Sequence, residues 1–98
     1  MLLVERDTPK GLLVSVCDPD VVGQTFENGQ ASLTVEAGFY ADGAVEADAE
    51  TVVASLQRAS VANLVGTAVV ALAVEHGLVD EAEVLEFEGT RHAQFLRM

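Results

Sequence analysis

Tryptophan is absent, tyrosine occurs once and phenylalanine four times in 98 residues. The core must therefore be built from Val, Leu and Ala, with modest burial per residue. A single cysteine, Cys17, excludes an internal disulfide framework and a Cys-based zinc site. Basic side chains are scarce: five Lys and Arg stand against sixteen Asp and Glu, a formal net charge of −11. Neither a Walker A loop nor a GxGxxG fingerprint is present, so neither of these glycine-based phosphate cradles applies. The longest acid-free apolar stretch, Val61 to Val74, is interrupted by Asn63, Gly66 and Thr67. It falls short of the roughly 20 residues needed to span a bilayer. The opening MLLVERD lacks a basic region followed by a long apolar run, so no signal peptide is expected. A cytoplasmic protein without membrane contact is expected.

What is present describes one globular domain over residues 1–98. Half of the residues are apolar, enough for a single modest core despite the charge. Solubility rests almost wholly on carboxylates, the pattern expected when cytosolic salt is near saturation. Such a shell repels itself in dilute buffer, and salt screens the repulsion. A halophilic archaeal source is the preferred reading. In such a host −11 does not exclude RNA as a partner. The charge is also unevenly placed. The first 88 residues hold three basic and all sixteen acidic side chains, −13, whereas Gly89 to Met98 hold Arg91, Arg97 and His92 and no acid.

Residues 2–6 and 11–17 are β-rich runs separated by Asp7-Thr8-Pro9-Lys10, which reads as a hairpin. Asp18 and Pro19 give the start of a short helix ended by Gly23. Residues 31–36 alternate as a half-buried strand, and 38–43 form a loop. Asp48 caps a helix whose apolar positions are Val52, Val53, Leu56 and Ala59. A second helix is expected from about Val61 to His76, with Leu64, Val65, Val69 and Leu72 fully buried and Gly77 at its end. Residues 83–88 and 91–97 read as a second hairpin around Gly89-Thr90. This predicts an α+β fold. Its mostly antiparallel sheet, two terminal hairpins plus the middle strand, would be covered by the helix pair.

Asn63 and Gly66 are poor choices inside a helix, because Asn competes for backbone hydrogen bonds and Gly costs about 1 kcal/mol relative to Ala. Either Ser60 or Asn63 caps the second helix and Gly66 permits a close approach, or Asn63 points a carboxamide into a pocket. Arg91, His92 and Gln94 offer a cation, a group titrating near neutrality and an amide on one strand, with Arg97 beyond. Alternation puts His92 and Gln94 on one face and Arg91 on the other. Unneutralised donors suit an anionic ligand. Cys17 reads as a small buried hydrophobe, and Phe39-Tyr40 as cover for a core edge.

The hairpin ending in Cys17-Asp18, the Ala62-Asn63-Leu64-Val65-Gly66 segment, the Gly77-Leu78-Val79-Asp80 exit and His92-Ala93-Gln94 resemble the archaeal domain of unknown function 424 family. The resemblance covers essentially the whole chain. It implies a small cytoplasmic archaeal protein without an established activity, from genes near translation components. It marks Asn63, Gly66, His92 and Gln94. The expected function is a non-catalytic RNA- or protein-binding module associated with translation, with RNA or a ribosome-associated protein as partner. Its binding residues would be Ser60, Asn63, Gly66, Arg91, His92, Gln94 and Arg97, with no cofactor, metal or catalytic residue. The alternatives are a small hydrolase or transferase using His92 with Asn63, and a structural homo-oligomeric subunit.

Overall fold

A computed structural model describes residues 1–97; Met98, the end of the acid-free tail, lies outside the described residues. The first two strands, β1 (Leu2–Thr8) and β2 (Gly11–Cys17), form an antiparallel hairpin in register from Leu2↔Cys17 to Thr8↔Gly11. Its turn is held by the Thr8 hydroxyl, which accepts from the Lys10 N–H at 3.2 Å and donates to the Gly11 carbonyl at 2.7 Å. The strands β3 (Thr25–Glu27) and β4 (Ser32–Thr34) follow, then the single helical turn α1 (Ala37–Tyr40) and the short strand β5 (Val45–Glu46). Helix α2 (Ala49–Arg58), β6 (Val61–Val65), α3 (Thr67–Glu75), β7 (Leu85–Phe87) and β8 (Thr90–Leu96) complete the chain.

The protein is a mixed α+β fold with a mostly antiparallel sheet. Six strands lie in the order β5-β1-β2-β6-β8-β7, and β3 with β4 form a separate two-stranded sheet. Among the described residues only β2 and β6 run parallel. Three expectations are corrected. Val61 to Val65 is a central strand and not the first turns of a helix. A short apolar run fits a buried strand as well as a buried helix, and Gly66 at φ +128° breaks it before α3 begins. The strand expected at 31–36 is real over Ser32–Thr34 but stands outside the main sheet. The loop expected at 38–43 begins as the turn α1, whose Tyr40 is buried.

Alternation along the strands separates two apolar layers. Leu3, Val14, Val16, Ala62, Leu64 and Ala93 share one face and pack with Val52 and Leu56 of α2 and Val69, Val70 and Ala73 of α3. On the opposite face Cys17 and Val65 pack with Val21, Val35 and Tyr40 from the excursion between β2 and α2. Leu64, Val65 and Val69 are fully buried, whereas Leu72 is only partly so and lies at the margin of the core. Asp48 caps α2 as expected, accepting from the Thr51 N–H at 2.9 Å.

Among the described residues only Glu5, Glu46, Glu81 and Glu86 are paired with a cation. The other carboxylates repel one another with little local relief. The melting temperature should therefore rise from dilute buffer into molar salt as screening lengths shrink. Calorimetry across that range checks this, and a flat melting temperature would contradict it.

Candidate functional site

All seven residues expected to bind a partner fall on or beside the β6–β8 pair. Asn63 stands opposite Gln94 and Val65 opposite His92. At one end the Gly66 N–H donates to the Arg91 carbonyl at 2.9 Å, and at the other the Arg97 N–H donates to the Ser60 carbonyl at 2.7 Å. Asn63 and His92 are thus diagonal neighbours on one face. The ribbon gathers these residues by strand pairing, without the helix junction at which Asn63 was expected.

Gly66 sits where the parallel strands β2 and β6 end side by side. The Asp18 N–H donates to the Val65 carbonyl at 3.0 Å. Its carboxylate accepts from the Ala68 N–H at 2.9 Å and the Val69 N–H at 3.1 Å. Asp18 makes no side-chain cap to the 3-10 turn at Pro19–Val21, the role expected of it. It caps α3 across the strand ends, fifty residues away in sequence. The positive end of the α3 dipole already faces a carboxylate from within the chain. Gly66 is required because a Cβ there would lie 2.3 Å from the Asp18 Cγ. This contact gives Gly66 a structural role.

Both tail arginines are engaged inside the chain. Arg91 donates through Nε to Glu86 at 2.8 Å and through Nη2 to Glu81 at 2.5 Å, and its side chain is 18% exposed. These bonds, that to Glu86 foremost, hold its guanidinium above the ordinary arginine pKa. Arg97 donates to the carbonyls of Leu56, Gln57 and Ala59 at 3.0, 3.2 and 3.2 Å, and lies over the Phe95 ring at 4.3 Å. A cation is favourable at that place, the negative end of α2. Arg91 is met by the acids that just precede the tail, and Arg97 by backbone carbonyls at the end of α2.

His92 is half-buried, with Nδ1 2.9 Å from the Leu64 carbonyl oxygen. Ser60 is half-buried at the hairpin end, where its N–H donates to the Leu12 carbonyl at 2.8 Å. Its hydroxyl lies where a Gly11 Cβ would stand, 2.1 Å from that position. Burial, aided by the charge of Asp18, pushes the Cys17 thiol up to about 11. A thiol buried and protonated at neutral pH is not a nucleophile. Among the described residues no group of His, Cys, Asp or Glu is arranged to hold a metal ion.

What remains is a row that runs from buried residues to two partly open carboxamides. Val4, Ser15, Asn63 and Gln94 are successive cross-strand neighbours on the face away from α2 and α3. Ser15 is fully buried and its hydroxyl has no partner among the described residues. Beside it, Asn63, Gln94, Val61, Phe95, Leu96 and Glu83 line a groove of about 450 Å³. Leu96 is 68% exposed there. Ser15, Val61 and Leu96 carried no sequence signal, because a hydroxyl or an apolar residue on a strand is ordinary until its neighbours are known.

A model of the family described as "Protein of unknown function (DUF424)" matches residues 5–98. The chain belongs to this family. No curated protein matches it. Among solved structures the DUF424 chain is similar to an uncharacterized conserved protein from Methanopyrus kandleri, at 24% identity and a TM-score of 0.73. The match covers 99% of this chain and 92% of that one. At this identity the likeness shows a shared fold. Among the described residues no helix of this DUF424 chain is long and apolar enough to cross a membrane.

Proposed function

We propose that this DUF424 protein is a non-catalytic binding module that takes a protein partner on the open face of β6 and β8. The observation that carries this reading is the opposed pair Asn63 and Gln94, set in a groove with exposed Leu96. Paired carboxamides present donors and acceptors together, and apolar flanks add area, a combination that suits a polypeptide surface. RNA is the less favoured ligand. Phosphate recognition needs available cations, and Arg91 and Arg97 are held by Glu81, Glu86 and the end of α2. A ribosome-associated protein is the partner class consistent with an association with translation.

The hydrolase or transferase reading is weaker, because Nδ1 of His92 is taken up at the Leu64 carbonyl and the one cysteine, Cys17, is buried with its thiol pushed up to about 11. The homo-oligomer reading loses its motive, since Val69, Val70 and Ala73 of α3 are already buried against the sheet.

Affinity purification from the host in native salt, with proteins and RNA identified together, tests the proposal. A double variant, Asn63→Ala with Gln94→Ala, should lose partner recovery at least tenfold, about 1.4 kcal/mol or more. Its unfolding free energy should stay within about 0.5 kcal/mol of the parent. Undiminished recovery by the folded variant overturns the reading. Ribonuclease-sensitive recovery would favour RNA instead.

A further inference from the structure

We propose that the outer edge of β1 takes an extended, basic polypeptide segment as an added strand. This is independent of the β6–β8 reading and concerns the other half of the sheet.

β5 pairs with β1 only through Leu2↔Glu46 and Leu3↔Val45. The Ala47 N–H donates to the Met1 carbonyl at 2.8 Å, which fixes the parity of the strand. In an antiparallel ladder the N–H and C=O of one residue point to the same side, and successive residues alternate. Met1 and Leu3 therefore address β5, while Leu2, Val4, Arg6 and Thr8 address β2. Glu5 and Asp7 direct their backbone N–H and C=O groups outward, past the end of β5, with no strand beside them among the described residues. Such an edge is a template for another strand.

The groove beside this edge says which segment fits. It measures about 730 Å³, with Glu5, Asp48, Glu50, Thr51 and Arg58 among its lining and Val45 at its margin. The carboxylates outnumber the single cation, and Arg58 is already committed to Glu5 at 2.6 Å, where Ser55 Oγ also donates at 2.5 Å. Glu50 and Asp7 are left to meet a cation. Glu5 and Asp7 share the helix-side face with Leu3, so an added strand would place alternate side chains against carboxylates. Its intervening residues would fall beside Val4 and Arg6, where a second cation is unwelcome. Arg6 itself is held on that face by the carbonyls of Gly38 and Phe39. The geometry thus selects alternation of basic and neutral residues. The −11 charge of the chain attracts such a segment from a distance and opposes a second copy.

The test is titration of the labelled full-length protein with a peptide of four Lys-Thr repeats, at the lowest salt that keeps the protein folded. Amide shifts should centre on Glu5 and Asp7 and diminish as salt rises. A peptide of Glu-Thr repeats should bind at least tenfold more weakly. Asp7→Pro removes an outward N–H, which an edge strand tolerates, together with the Asp7 carboxylate, and should weaken binding at least tenfold. If that variant fails to fold, a Lys-Thr peptide N-methylated at alternate residues supplies the same loss from the other side. The double alanine variant at Asn63 and Gln94 should bind as the parent does, separating this site from the β6–β8 surface. Equal binding of the Glu-Thr peptide overturns the proposal, as does no binding of the Lys-Thr peptide. So would edge shifts that grow with protein concentration alone, which would assign the edge to a second copy.

Discussion

Gly66→Ala should cost about 3–5 kcal/mol, a large part of the total stability of a domain this size. Two effects combine. The backbone at φ +128° and ψ 147° is one that L side chains rarely adopt, and strain of that kind costs about 1–3 kcal/mol. The new methyl would also lie 2.3 Å from Asp18 Cγ and 2.5 Å from its Oδ2. Asp18 can move aside only by releasing the N–H groups of Ala68 and Val69, and loss of a helix cap costs about 0.5–2 kcal/mol. Asp18→Gly in the Gly66→Ala background removes the overlap but neither restores the cap nor relieves the strain. The pair should therefore be non-additive, with the double variant less damaged than the sum of its parts. Urea melts of the four proteins measure this. A loss below about 1 kcal/mol for Gly66→Ala would show that the junction relaxes freely.

Leu64→Ala should cost about 2–5 kcal/mol. Leu64 is fully buried in the central strand, between Val16 of β2 and Ala93 of β8, in the core shared with α2 and α3. With no Trp in the chain, Leu64 and Leu56 are the largest fully buried side chains. Neighbouring valines and alanines are too small to refill the space, so the cavity term should be large. Leu72→Ala, at the margin of the same core, should cost less than Leu64→Ala. Denaturant titrations of both decide it, and a reversed order would contradict this placement of α3.

Much of the fold was legible in short segments. The Pro9-Lys10 turn between two apolar runs, Asp48 ahead of the α2 stripe and Gly89 between the last two strands each act locally. Turn chemistry and caps need only a few residues of context. The stretch from Val61 to Val65 was not legible, because its apolar residues satisfy either period. Asn63 and Gly66 were nonetheless the correct warning: both are poor in a helix, one sits well on a strand, and the other ends it.

The candidate site divides along the same line. Its residues could be picked out one by one as an amide, a histidine and two arginines. The availability of each depended on its neighbours in the folded chain, some near in sequence and others distant. Glu81 and Glu86 close on Arg91, the carbonyl end of α2 closes on Arg97, and Gln94 is brought opposite Asn63.

Composition and local pattern by themselves determined an acidic chain with a Val, Leu and Ala core, its terminal strand pairs and its α2 cap, because each depends on side-chain type and near neighbours. Only the tertiary structure decided that Val61–Val65 is a strand, that Asp18 caps α3, and that the tail arginines are bound within the chain. The first two outcomes depend on parallel pairing of β2 with β6, a contact between segments more than forty residues apart whose energy no local window contains.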